Sequence, residues 1–137
     1  MSLPCLTVQH KNKLTKLGVQ AVYLFGSRAM GKQSHFSDYD YAVLTRDGSH
    51  TRGDKLYFIL YDVFSDISPR TLDNDVIDIV FLRDTGLELR FHVVQYGIVL
   101  LDSDPVERLR FESQTVLLYG DYRPLLESFD HAILESL

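Results

Sequence analysis

Residues 19–44 read VQAVYLFGSRAMGKQSHFSDYDYAVL, and the fold turns on this stretch. Val19 to Phe25 is rich in β-branched and aromatic residues and stops at Gly26-Ser27, the pattern of a buried strand entering a turn. Arg28 to Ser37 is polar and irregular. Asp38 to Leu44 then suits a second strand, whose period of two places Asp38, Asp40, Ala42 and Leu44 on one face and Tyr39, Tyr41 and Val43 on the other.

On the N-terminal side, Leu3, Leu6, Leu14 and Leu17 recur at roughly helical spacing, which predicts a helix ending in a left-handed cap at Gly18. On the C-terminal side, a Gly/Ser/Thr-rich loop leads to a helical stripe at Leu56, Ile59, Leu60, Val63 and Ile67. Pro69 and the Asp/Asn cluster near Asp73 close it. Val76 to Leu82 reads as a third strand with Asp78 inside an apolar run. Leu87, Phe91 and Val94 predict a further helix closed by Gly97, followed by a short strand at Ile98 to Leu101. Asp104, Pro105 and Glu107 form a helix start with a reciprocal cap, and Gly120 and Pro124 divide the tail into two helices. The expected fold class is α/β (α+β): a single small mixed β-sheet flanked by helices, with C-terminal helices, and a strand order that the sequence leaves open. One domain is expected over residues 1–137, with a core to about residue 103 and a helical extension from about residue 104.

Composition narrows the function. The chain has 137 residues, 45% of them hydrophobic and 24% charged, which suits an ordinary globular core. No apolar run approaches the ~20 residues of a membrane span, and Met1 to Val8 lacks the features of a secretory signal. The single Cys5 forms no internal disulfide, so a reducing, cytoplasmic setting is expected. A formal net charge of −5 argues against long nucleic acid, whose binding requires clustered Lys and Arg.

The chemistry is expected at three carboxylates on strands, Asp38, Asp40 and Asp78. An ionised carboxylate in an apolar layer costs several kcal/mol unless a cation or hydrogen bonds compensate it, and a divalent cation is the simplest compensation. Oxygen ligands without a Cys/His set suit Mg²⁺, which takes its remaining ligands from water and substrate phosphates. Two Mg²⁺ ions bridged by Asp38 and Asp40 would hold a triphosphate and acidify an attacking hydroxyl. Gly26 and Ser27 would let backbone N–H groups approach a phosphate. Arg28 would neutralise triphosphate charge or pair with the aspartates when the site is empty.

Gly26-Ser27, ten intervening residues and then Asp38-Tyr39-Asp40, with Asp78 downstream, resembles the signature of the DNA polymerase β nucleotidyltransferase superfamily. The fuller run Gly26-Ser27-Arg28-Ala29-Met30-Gly31 with Ser37-Asp38-Tyr39-Asp40 is similar to the minimal nucleotidyltransferase group. Asp104-Pro105, Arg108 to Glu112 and Tyr119 to Tyr122 are similar to its MntA-type antitoxin members, which are paired with HEPN-domain toxins. The resemblance implies a nucleotidyltransferase fold with two Mg²⁺ ions on Asp38, Asp40 and Asp78. It also implies transfer of AMP from ATP to a tyrosine hydroxyl of a HEPN ribonuclease partner. Asp78, on a separate strand from Asp38 and Asp40, is the favoured candidate for receiving the acceptor proton, the alternative being that the metal alone acidifies the hydroxyl. Met30 departs from the Arg of many relatives, and Tyr41 from the usual aliphatic residue. The chain has no room for an acceptor-binding domain, so a partner is expected to present the acceptor, and oligomerisation stays open. A small-molecule hydroxyl as acceptor and neutralisation by binding alone are the competing readings.

Other residues carry less. His35, His92 and His131 have no partner at metal-ligand spacing, and Asp73-Asn74-Asp75 lacks the Gly and distal Glu of a calcium loop. Tyr57, Tyr61, Tyr119 and Tyr122 are expected mainly to pack, although exposed aromatics can anchor a partner.

Overall fold

The computed structural model describes residues 3–31, 38–46, 54–68 and 77–136, without the side chains of residues 122 and 125–136. In chain order the elements are α1 (Val8–Lys16), β1 (Val19–Phe25), β2 (Tyr39–Thr45), α2 (Lys55–Ile67), β3 (Ile77–Phe81), α3 (Leu87–Tyr96), β4 (Ile98–Asp102) and α4 (Pro105–Ser136). A 3-10 turn at Leu82–Asp84 follows β3. The four strands form one sheet in the order β3-β2-β1-β4. β1 is antiparallel to both β2 and β4, whereas β2 and β3 run parallel, with α2 between them in the chain. The sheet is therefore mixed, as expected.

Both faces of the sheet are covered, which explains why every residue of β1 is buried and why its sequence is nearly continuous in apolar residues. On one face, Leu14 of α1 and Leu60, Val63 and Phe64 of α2 pack with Val22, Leu24, Tyr41, Val43 and Ile79. On the other, Val93 of α3 and Phe111 of α4 pack with Ala21, Tyr23, Phe25, Ala42 and Leu44. The alternation in β2 thus follows the predicted period of two. Tyr41, unusual at its position, is accommodated because its ring stacks on Phe64 at 4.1 Å and its hydroxyl pairs with Ser68 Oγ at 2.5 Å.

Two local expectations change. Helix α1 starts later than its leucine pattern suggests, because the Thr7 side chain accepts from the His10 N–H while His10 Nδ1 accepts from the Thr7 N–H. It does end at Gly18, with φ +90°. Gly97 closes α3, as expected, and does so in an extended conformation with φ −71°. A Cβ there would crowd the Val93 carbonyl and come within 3.3 Å of Tyr23 Cδ1, so glycine serves close packing rather than an unusual φ. Helix α4 does not break at Gly120 and Pro124 but continues through both. The proline ring meets the carbonyl four residues earlier, which belongs to Gly120, where the absence of a side chain leaves the backbone free to adjust. At the start of α4 the Glu107 N–H donates to Asp104 Oδ1 at 3.2 Å, while the Glu107 carboxylate lies against Arg110 and Arg83. Pro69, the Asp73-Asn74-Asp75 cluster and Val76 lie outside the described residues.

Helix α4 is fastened to the sheet by a polar cluster. Tyr23 Oη donates to Glu112 at 3.0 Å, Arg108 donates to the same carboxylate oxygen at 2.7 Å, and Arg108 also meets Asp102 at 3.0 Å. Burial and the Glu112 carboxylate push the Tyr23 hydroxyl well above the ordinary phenol range, so it stays a donor at physiological pH. Replacing Glu112 by Ala removes the shared acceptor and is expected to cost about 1–3 kcal/mol in urea unfolding, while Glu112→Gln, which keeps an acceptor for Tyr23, costs less. Equal stability of Glu112→Ala and wild type would show that the cluster does not anchor the helix.

Candidate nucleotide and metal site

The candidate site lies where β1 ends and β2 begins. In the ladders, Phe25 is the register partner of Asp40 on one side, and Asp78 is its partner on the other. Side chains at paired positions share a face, so Asp40 and Asp78 stand side by side on the α3 and α4 side of the sheet. Both are half-buried. Asp38, just before β2, is exposed, but its charge reaches Asp40.

This crowding has an electrostatic signature. Burial, then the Asp78 charge and then the Asp38 charge push the Asp40 carboxyl up from an ordinary 3.8 to about 6. Gly26 adds a steric one. Its φ is +79°, and a Cβ on it would fall against the Asp40 carboxylate, 3.2 Å from Cγ. The turn thus passes so close to Asp40 that only glycine fits, and Ser27 follows half-buried while the Met30 N–H closes a turn onto the Gly26 carbonyl at 3.3 Å.

Arg28 follows Ser27 in the same turn. It is only 5% exposed, and its guanidinium carbon sits 3.7 Å from the centroid of the Tyr39 ring. That ring belongs to the α1 and α2 face, and the Arg28 charge also acts on the Tyr41 hydroxyl. A planar, weakly hydrated cation stacks well on an aromatic face, which accounts for its burial. Met30 is exposed at the end of the same turn. Ser37 and His35 lie outside the described residues, and His131 is described by its backbone alone.

Among the described residues, no three His, Cys, Asp or Glu side chains form a ready cluster able to hold a metal ion. The expected triad therefore appears as a close pair, Asp40 and Asp78, with Asp38 at its margin. Mutual repulsion of carboxylates works against drawing all three together without a cation. The donor set still fits a hard divalent ion: hard oxygen donors converge at one sheet end, and Asp40 holds its proton more tightly than an isolated carboxyl because burial, and then the charges of Asp78 and Asp38, disfavour its ionised form.

The sequence reading missed the ring of aromatic residues beside this site. Phe25 and His92 meet edge-on at 6.4 Å, and His92 and Tyr96 follow at 5.2 Å. Their helical spacing suggested only packing, and nothing in it reveals that α3 ends at the carboxylate end of the sheet.

The raised Asp40 value has a sign that can be tested. Its folded state binds the proton more tightly than the unfolded chain, so this group favours folding most below about pH 4, and that contribution is lost as pH rises through about 6. In metal-free buffer at pH 7.5, Asp40→Asn is expected to stabilise the protein by about 1 kcal/mol after allowance for solvent screening, roughly 3–5 °C in Tm. The difference should shrink as the pH falls from 7 towards 4. An Asn variant less stable than wild type throughout would contradict the crowding.

Comparison with known proteins agrees with the geometry. The family described as polymerase beta, nucleotidyltransferase matches residues 9–106. No curated protein matches significantly. Among solved structures, the chain is similar to a toxin-antitoxin with AMP-PNP at 26% identity and a TM-score of 0.65, over 90% of this chain and 98% of that one. It is also similar to the MntA-HepT toxin-antitoxin at 23% identity and a TM-score of 0.60, over 90% and 96% of the two chains. A tri-AMPylated Shewanella oneidensis HEPN toxin in complex with MNT antitoxin gives 23% identity and a TM-score of 0.60, over 90% and 95%. The latter two likenesses speak to the fold. With its family match running from α1 to the start of α4 and taking in Gly26, Asp40 and Asp78, the chain belongs to the polymerase β nucleotidyltransferase family.

Proposed function

We propose that the protein is an antitoxin that transfers AMP from Mg-ATP to a tyrosine hydroxyl of a HEPN-type ribonuclease toxin. The observation that carries this reading is the pairing of Asp40 with Asp78 beneath the Gly26 turn. Support comes also from the toxin-antitoxin structures it resembles, one of them with AMP-PNP and another with a tri-AMPylated toxin.

Asp38, Asp40 and Asp78 are the residues that would hold Mg²⁺. Two such ions supply charge neutralisation for the triphosphate and make the acceptor hydroxyl more acidic. Gly26 keeps the chain close to the carboxylates and, with Ser27, offers backbone N–H and hydroxyl donors to the phosphates. Arg28 contributes positive charge to this turn from its stack on Tyr39. Met30 adds no charge to this turn, so among the described residues of the turn Arg28 is the one that adds positive charge to that of the metal.

The reaction is a substitution at the α-phosphorus. The tyrosine oxygen forms the new bond, the bond to the pyrophosphate leaving group breaks, and the phenolic proton passes to Asp78. Asp78 suits that role because it stands on β3, one strand away from Asp40 on the same face. The nucleophile comes from the partner, so the antitoxin chain needs only to hold the nucleotide and to orient the incoming hydroxyl.

The test is incubation with α-labelled ATP, Mg²⁺ and a co-expressed HEPN-type partner, followed by intact mass and site mapping. Wild type should add AMP-sized mass to a partner tyrosine. Asp40→Asn should lower the rate at least a hundredfold, and Asp78→Ala should be similarly impaired at saturating Mg²⁺. Label on a small hydroxylated molecule without a partner would redirect the acceptor, and neutralisation of the toxin by Asp40→Asn without labelling would make binding alone the mechanism.

A further inference from the structure

A cleft of about 500 Å³ opens between α3 and α4, lined by Glu88, Phe91, His92, Tyr96, Tyr119 and Arg123. It lies on the same side of the sheet as Asp40 and Asp78, since Phe25, which touches its wall, shares the α3 and α4 face. Rings connect the two places. Phe25 is the register partner of Asp40, His92 meets Phe25 edge-on at 6.4 Å, and Tyr96 stands 5.2 Å beyond His92. Tyr96 is 50% exposed, a large aromatic surface left facing solvent at the end of this series. The floor is firm, because Phe91 and Tyr119 stack nearly parallel, 3.9 Å apart and 8° from coplanar, and so tie α3 to α4.

We propose that this cleft receives the nucleobase of the bound nucleotide, stacked on Tyr96 and His92. The inference rests on the reading of the Asp40 and Asp78 site as the triphosphate site and extends it to the rest of the nucleotide. A planar heteroaromatic ring matches aromatic walls, and every base has a π-face for them to hold. The cleft also carries both kinds of polar group that the rim of a base requires. Glu88 accepts hydrogen bonds from exocyclic or ring N–H groups, and Arg123 donates to ring nitrogens. Its volume falls within the range of small-molecule sites. His92, which would touch the base, also meets Phe25, the register partner of Asp40.

The experiment is a calorimetric titration of the full chain in Mg²⁺ with two probes, a non-hydrolysable ATP analogue and inorganic tripolyphosphate, which has no base. Wild type is compared with Tyr96→Ala and Tyr96→Phe, changes at an exposed position that leave the core intact. The proposal expects Tyr96→Ala to bind the ATP analogue about tenfold more weakly, with tripolyphosphate binding unchanged and Tyr96→Phe close to wild type. Undiminished binding of the analogue by Tyr96→Ala, or equal loss of both probes, overturns it. Unchanged nucleotide binding together with weaker binding of the HEPN-type partner also overturns it, by making the cleft a protein-docking surface. If wild type binds neither probe, the triphosphate reading itself fails and the proposal falls with it.

Discussion

The parallel pairing of β2 with β3 sets Asp40 directly beside Asp78, and the rest of the site depends on that register. A shift by one residue would send Asp78 to the opposite face and bring an apolar neighbour beside Asp40 instead. Two half-buried carboxylates at this spacing repel each other, and that repulsion adds to burial in raising the proton affinity of Asp40. The fold holds them together at a cost in stability. Such a cost at one end of an otherwise well-satisfied sheet is what a site built for a divalent cation and a triphosphate would show.

The compensation for that cost lies elsewhere in the molecule. At the far end of the sheet, Arg83 donates to the Thr45 carbonyl and to the Gln20 side chain, and Ser103 donates to the Val19 carbonyl. These bonds join the ends of β1, β2 and β4 to the turn after β3. The Tyr23, Glu112, Arg108 and Asp102 cluster then locks α4 across the face on which the carboxylates lie. With that end fixed, the carboxylate end can tolerate like charges and a glycine turn pressed against Asp40.

Much of this was legible in the sequence. The strand character of β1, β2 and β3 followed from β-branched and aromatic residues, and the period of two in β2 correctly separated Asp40 and Ala42 from Tyr39 and Tyr41. Gly26, Asp40 and Asp78 stood out because bare charge and a strand-ending glycine conflict with a buried sheet. Strand order was not legible, because pairing between distant segments leaves no local trace. The position of Arg28 was not legible either, since a cation beside an aromatic strand and a cation beside phosphate have the same sequence. The unbroken course of α4 through Pro124 ran against the ordinary meaning of a proline, and the spacing to Gly120 explains it only after the helix is seen. The cleft between α3 and α4 depends on which helix ends meet, a tertiary fact.

The central claim is that Asp40 and Asp78 stand together in order to bind a divalent cation with nucleotide. It is tested most directly by an equilibrium Mn²⁺ titration in the presence of a non-hydrolysable ATP analogue, followed by electron paramagnetic resonance, with Mn²⁺ as a hard-ion stand-in for Mg²⁺. Wild type should take up Mn²⁺ in a nucleotide-dependent manner, and Asp40→Asn should lose most of that uptake. Equal uptake by wild type and Asp40→Asn would contradict the account.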